Sequence, residues 1–76
     1  MHDLLEVVWE PREKGRLYLA LTLAECSLYE HRPELRDTLT PLACLQVFPD
    51  GRHAWQGEGT PAGRTAIREV LGIRTA

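Results

Sequence analysis

Residues 42–73 constrain the fold more than any other part of the chain. They read Leu-Ala-Cys-Leu-Gln-Val-Phe, Pro-Asp-Gly, Arg-His-Ala-Trp-Gln, Gly-Glu-Gly, and then a periodic apolar pattern. The order is strand, turn, strand, hinge, helix. Pro49-Asp50-Gly51 fits a type I turn followed by a glycine in the left-handed region, a common three-residue hairpin connection. That turn pairs Phe48 with Arg52, so Val47 faces His53 and Leu45 faces Trp55. Ala43, Leu45, Val47 and Trp55 then share one apolar face. The opposite face, with Leu42, Cys44, Gln46, Phe48, Arg52, Ala54 and Gln56, is mixed. Gly57-Glu58-Gly59 turns the chain out of the sheet. Thr60 suits a helix N-cap, Pro61 suits the first helical position, and Gly72 suits the stop. Between them Ala62, Ala66, Ile67, Val70 and Leu71 recur at helical spacing, with Arg64, Thr65, Arg68 and Glu69 on the other side. The expectation is that Ala66, Ile67 and Val70 meet Leu45, Val47 and Trp55.

The N-terminal half is less decisive. Leu5, Val7 and Trp9 alternate with Leu4, Glu6 and Val8, which reads as a strand. Glu10-Pro11-Arg12-Glu13-Lys14-Gly15 reads as a charged loop, because proline lacks a ladder donor and glycine permits positive φ. Residues 16–24 alternate strictly, Leu17, Leu19, Leu21 and Leu23 against Tyr18, Ala20, Thr22 and Ala24, which favours a second strand. Leucine and alanine are also strong helix formers, so a helix over 16–32 is the alternative. Near Ala24-Glu25 the alternation slips, which suits a bulge that carries the strand on through Leu28. Pro33 opens a short helical segment with Leu35 and Leu39 one turn apart, ended by Pro41.

These elements predict one α+β domain, an antiparallel sheet of about four strands with the C-terminal amphipathic helix packed on one face. A chain of 76 residues, 43% hydrophobic and 26% charged, is ordinary for a globular domain. At this size the core is small, so self-association is the expected source of extra burial. One helix covers only part of a four-stranded sheet. A symmetric homodimer through sheet faces or edges is therefore expected, with Trp9 and Tyr18 as its aromatic anchors. Neither a basic leader followed by an apolar run nor a run long enough to span a bilayer is present. The expectation is a cytoplasmic protein without a membrane partner, with Cys26 and Cys44 reduced.

The net charge of −2 counts against a dedicated nucleic-acid module. Residues 1–38 carry eight acids against five bases, and residues 39–76 three against four. Gly63-Arg64-Thr65 echoes the end of a phosphate-binding loop, but Glu58 and Arg64 stand where that pattern requires glycine and lysine. A simple anion site is the residual reading, with Thr60, Gly63, Arg64 and Arg68 as ligand-binding residues at the helix N-terminus. Cys26, His31, Cys44 and His53, with His2 as a spare, are the atom types zinc takes. They lack paired close spacing, and Cys44 and His53 point to opposite faces, so no metal or other cofactor is expected. Cys26-Ser27 with His31 is the one local nucleophile-and-base grouping, and nothing positions its parts. Glu10/Glu13 and Glu30/Glu34 sit in charged segments. No catalytic residue is assigned, and no enzymatic activity is expected.

A β-hairpin, Gly57-Glu58-Gly59 and an amphipathic helix in that order resemble the C-terminal half of double-stranded-RNA-binding domains. The resemblance implies phosphate contacts at the helix start, where that family carries a lysine pair. Here the stretch is Pro61-Ala62-Gly63-Arg64, with one base, and the N-terminal half does not resemble that family's first helix. The likeness describes a local layout. The leading expectation is a small non-catalytic interaction or regulatory module acting through protein contacts. The alternative is a nucleic-acid or phosphate-ligand binder using Arg64, Arg68 and the helix N-terminus.

Overall fold

A computed structural model describes residues 5–72. Expectations for His2 and Leu4 lie outside them. The chain forms β1 Leu5–Arg12, β2 Gly15–Thr22, α1 Leu23–His31, a short 3-10 helix Pro33–Thr38, β3 Ala43–Val47, β4 His53–Trp55 and α2 Pro61–Leu71. The strands make one antiparallel sheet in the order β1-β2-β3-β4. This is the expected α+β architecture, with one more α-helix than the sequence pattern suggested.

The C-terminal hairpin has the register its turn dictates. Leu45 pairs with Trp55 and Val47 with His53. The Phe48 N–H donates to Arg52 O at 2.8 Å, the Gly51 N–H donates to Phe48 O at 2.9 Å, and Gly51 has φ 91°. Thr60 caps α2 by accepting the Gly63 N–H, and Gly72 ends it in the left-handed region.

Three local expectations are corrected. First, β1 continues through Pro11 and Arg12, and only Glu13-Lys14 separates it from β2. The hydrogen-bond alternation explains why the proline is tolerated. Phe48 bonds Arg52 and Cys44 bonds Gln56, so even residues of β3 bond toward β4. Carried through the registers, even residues of β1 bond toward β2, and Leu5, Val7, Trp9 and Pro11 point their backbone groups outward. The missing proline donor therefore falls on the free side of an edge strand.

Second, β2 does not bulge on through Leu28. It stops at Thr22, and α1 begins at Leu23. Thr22-Leu23-Ala24-Glu25 is a capping box: the Thr22 hydroxyl accepts the Glu25 N–H at 3.2 Å, and the Glu25 carboxylate accepts from the Thr22 N–H at 3.4 Å. Local bonds thus outweigh an alternation that extends by chance into the first helical turn. Thr22→Ala should lower stability by about 1 kcal/mol, read from the denaturant midpoint, while Thr38→Ala should change it by less than ~0.5 kcal/mol.

Third, α2 packs on a face rotated from the expected stripe. Gly63 and Ile67 are buried, Leu71 is half-buried against the core, and Val70 is 60% exposed. A Cβ at Gly63 would lie 2.8 Å from the Leu42 carbonyl and 3.0 Å from the Ala43 Cβ. The absence of a side chain lets the helix settle onto the start of β3. The seam then runs Gly63, Ile67, Leu71, and Val70 falls outside it.

The core under α2 is Tyr18, Ala20, Ala43, Leu45 and Ile67, with Val7, Leu42, Val47, Trp55 and Leu71 packed around it. Tyr18 is only 7% exposed. It belongs to this core and not to an interface, because its Cα partners are Trp9 on one side and Leu45 on the other. On the opposite face α1 packs against β1 and β2, where Leu21 and Cys26 are completely or nearly buried, and the 3-10 helix packs on α1. Leu21 is therefore covered within the chain, whereas Leu17 borders an open groove beside Cys44, Gln46 and Gln56.

Candidate functional site

The expected ligand residues converge at the start of α2 but are largely occupied by the fold. Pro61 brings no N–H. The Gly63 N–H donates to Thr60 Oγ1 at 3.0 Å, and the Arg64 N–H donates to Thr60 O at 3.0 Å. Only the Ala62 N–H is left without a protein acceptor among the first-turn donors of the described residues. The buried Gly63 contributes close packing on Leu42 and Ala43.

Arg64 and Arg68 both lie over the Trp55 ring, their guanidinium carbons 4.7 and 5.3 Å from its centroid. That stacking follows from the i, i+4 spacing on α2 and the register that turns Trp55 toward the helix. Arg64 also donates to the backbone carbonyls of Glu58 and Gly57, at 3.2 Å for the latter, and so pins the glycine hinge. Neither arginine pairs with a carboxylate among the described residues, whereas Arg52 pairs with Asp50. Glu58, Gly59, Pro61, Arg64, Thr65 and Arg68 border a wide-mouthed groove of about 570 Å³. A second open groove, about 510 Å³, lies between the β1–β2 turn and Cys44, Gln46 and Gln56.

A polar cluster that the sequence pattern hid lies under α1. Glu10 is 7% exposed on the α1 side of β1. Its carboxylate binds the guanidinium of Arg12, accepts from Tyr29 Oη at 3.1 Å and pairs with Arg36 at 2.6 Å. Arg36 comes from the 3-10 helix and Tyr29 from α1, so one buried carboxylate ties both to the sheet. No buried side-chain polar atom of the described residues lacks a partner. Burial, and then the nearby Glu10, raise the Tyr29 phenol above its ordinary range. The presence of a proline beside Glu10 was the misleading signal, since it marked the segment as a solvated loop.

The thiols and histidines stay apart. Cys26 is buried on the inner side of α1, where burial and then the Glu6 carboxylate push its thiol up to about 11. Burial also raises Cys44, offset in part by Arg12. Both thiols are therefore protonated at neutral pH, and a thiol is a far weaker nucleophile than a thiolate. His31 is exposed and its Nδ1 bonds the Ser27 backbone carbonyl at 2.9 Å, and no hydrogen bond joins it to Cys26 or to the Ser27 hydroxyl among the described residues. No group of three or more His, Cys, Asp or Glu side chains converges among the described residues.

Trp9 is 49% exposed on the edge strand, with the Arg16 guanidinium 4.4 Å from its ring centroid. Leu23 at 46% and Leu28 at 45% lie exposed on α1. No helix among the described residues is long and apolar enough to cross a membrane. The chain matches no protein-family model, no curated protein and no solved structure.

Proposed function

We propose that this chain is a small non-catalytic interaction module that acts through protein contacts and assembles as a homodimer in the cytoplasm. The observation that carries the reading is the exposure of Trp9, Leu23, Leu28 and Val70, from 45% to 60% each. A lone exposed leucine needs no explanation, but a half-exposed tryptophan on an edge strand is the kind of residue that anchors a contact surface. The protonated thiols, the satisfied Glu10 cluster and the open form of both grooves support a role without chemistry of its own. Light scattering on the purified chain at micromolar concentration tests the assembly. A mass of 8.6 kDa at every concentration removes the homodimer.

A second reading rests on Arg64 and Arg68, which rim a groove, share Trp55 and have no acidic partner among the described residues. They suit a phosphate-bearing ligand, nucleic acid included, although Glu58 beside them opposes it. A mobility shift of labelled oligonucleotide at low salt, lost in Arg64→Ala/Arg68→Ala, favours this reading. No shift at low salt eliminates it.

A further inference from the structure

We infer that the homodimer forms by antiparallel pairing of β1 with β1 of a second copy, centred on Val7, to give one continuous eight-stranded sheet. The inference rests on the homodimer reading above and specifies its interface. β1 is an edge strand of eight residues, whereas the other edge, β4, has three. The outward N–H and C=O groups of β1 belong to Leu5, Val7 and Trp9, with a carbonyl alone from Pro11. A row of this kind is a template for another strand.

Proline and charge decide the register. A symmetric pair keeps each side chain on its own face, so the two-fold axis must pass through opposed copies of one residue. Centred on Trp9, the pair sets the Pro11 ring against the partner's Val7 carbonyl, which then finds no donor. Centred on Val8, it sets Glu6 directly opposite the partner's Glu10, and again opposite at the symmetric position. Centred on Val7, it has neither fault. Val7 opposes the partner's Val7, Leu5 opposes the partner's Trp9, and Glu6 opposes the partner's Val8. Every outward N–H and C=O of Leu5, Val7 and Trp9 is bonded, and Pro11 falls beyond the last pair and stops the ladder. The exposed Trp9 ring, already covered on one side by Arg16, gains an aliphatic neighbour. Pro11 thus acts as the register stop of an interface. It does not merely blunt the edge.

The test uses the full chain. Light scattering should give twice 8.6 kDa for the wild type. Trp9→Pro removes an outward donor but no bond to β2, so it should give one chain while keeping the wild-type circular dichroism, and Trp9→Ala should remain a weaker dimer. In a Cys44→Ser background, Leu5→Cys and Trp9→Cys proteins should form a disulfide dimer on mild oxidation only when mixed, since each residue lies opposite the other and far from its own copy. This cross-link reads the interface even if Trp9→Pro fails to fold. A single-chain mass for the wild type overturns both the homodimer and its interface. A stable dimer that survives Trp9→Pro and does not cross-link in the mixture leaves the homodimer standing and overturns the β1 edge. A cross-link of Trp9→Cys with itself overturns the Val7-centred register.

Discussion

Gly15→Ala is expected to lower stability by roughly 2–6 kcal/mol, a large share of what a chain of this length has. Gly15 opens β2 with φ 103°, a conformation that a residue with a Cβ adopts only under strain. A Cβ there would lie 1.9 Å from the Val47 carbonyl oxygen and 2.9 Å from the Val47 carbonyl carbon. Both atoms are backbone in the neighbouring strand, so no rotamer change relieves the clash. Backbone strain contributes roughly 1–3 kcal/mol and forced overpacking a further 1–3 kcal/mol. A chain of this length has only about 4–11 kcal/mol of stability in total. Gly51 provides the control. It also has positive φ, at 91°, but a Cβ there meets nothing within 4 Å. Gly51→Ala should cost only about 1–2 kcal/mol, the local penalty for a side chain in the left-handed region. Urea midpoints for the two variants decide the matter. Equal midpoints would mean that Gly15 matters only for its φ, and that β2 and β3 do not pack as described.

Ile67→Ala is expected to lower stability by about 3–4 kcal/mol, within the range for truncating a fully buried aliphatic side chain. Ile67 has no exposed surface and joins Tyr18, Ala20, Ala43 and Leu45 in the core. It is the single fully buried large side chain of α2, so its loss opens a cavity at the centre of the helix–sheet contact. Val70→Ala should change stability by less than about 1 kcal/mol, because Val70 is 60% exposed. The pattern of apolar residues alone would rank the two alike. Comparable losses would place Val70, and not Leu71, on the seam.

Those two contrasts mark where sequence reasoning works on this chain and where it stops. The Leu45–Trp55 register was legible because Pro49-Asp50-Gly51 admits one compact turn, and that turn sets every later pair. The limits of α2 were legible because Thr60, Pro61 and Gly72 act through their own backbones. The capping box Thr22-Leu23-Ala24-Glu25 was equally local and could have been read, but the strict alternation of Leu17–Leu23 masked it. Of the candidate site, the grouping of Thr60, Arg64 and Arg68 was legible from helix spacing. The placement of Tyr18 was not, since an aromatic residue in an alternating strand carries no mark of which neighbours will cover it.

Sequence alone therefore determined what short-range stereochemistry controls: strand period, the β3–β4 turn and its register, the α2 cap and stop, and the α+β class. Tertiary structure decided the rest, because the deciding partners are distant in the chain. Glu10 is a buried anchor only because Tyr29 and Arg36 fold back over it. Gly63 rotates the α2 seam because Leu42 and Ala43 lie beneath it. Pro11 sits within a strand because β1 is an edge. A burial pattern belongs to the pair of surfaces in contact, and the periodicity of either one alone does not state how the two meet.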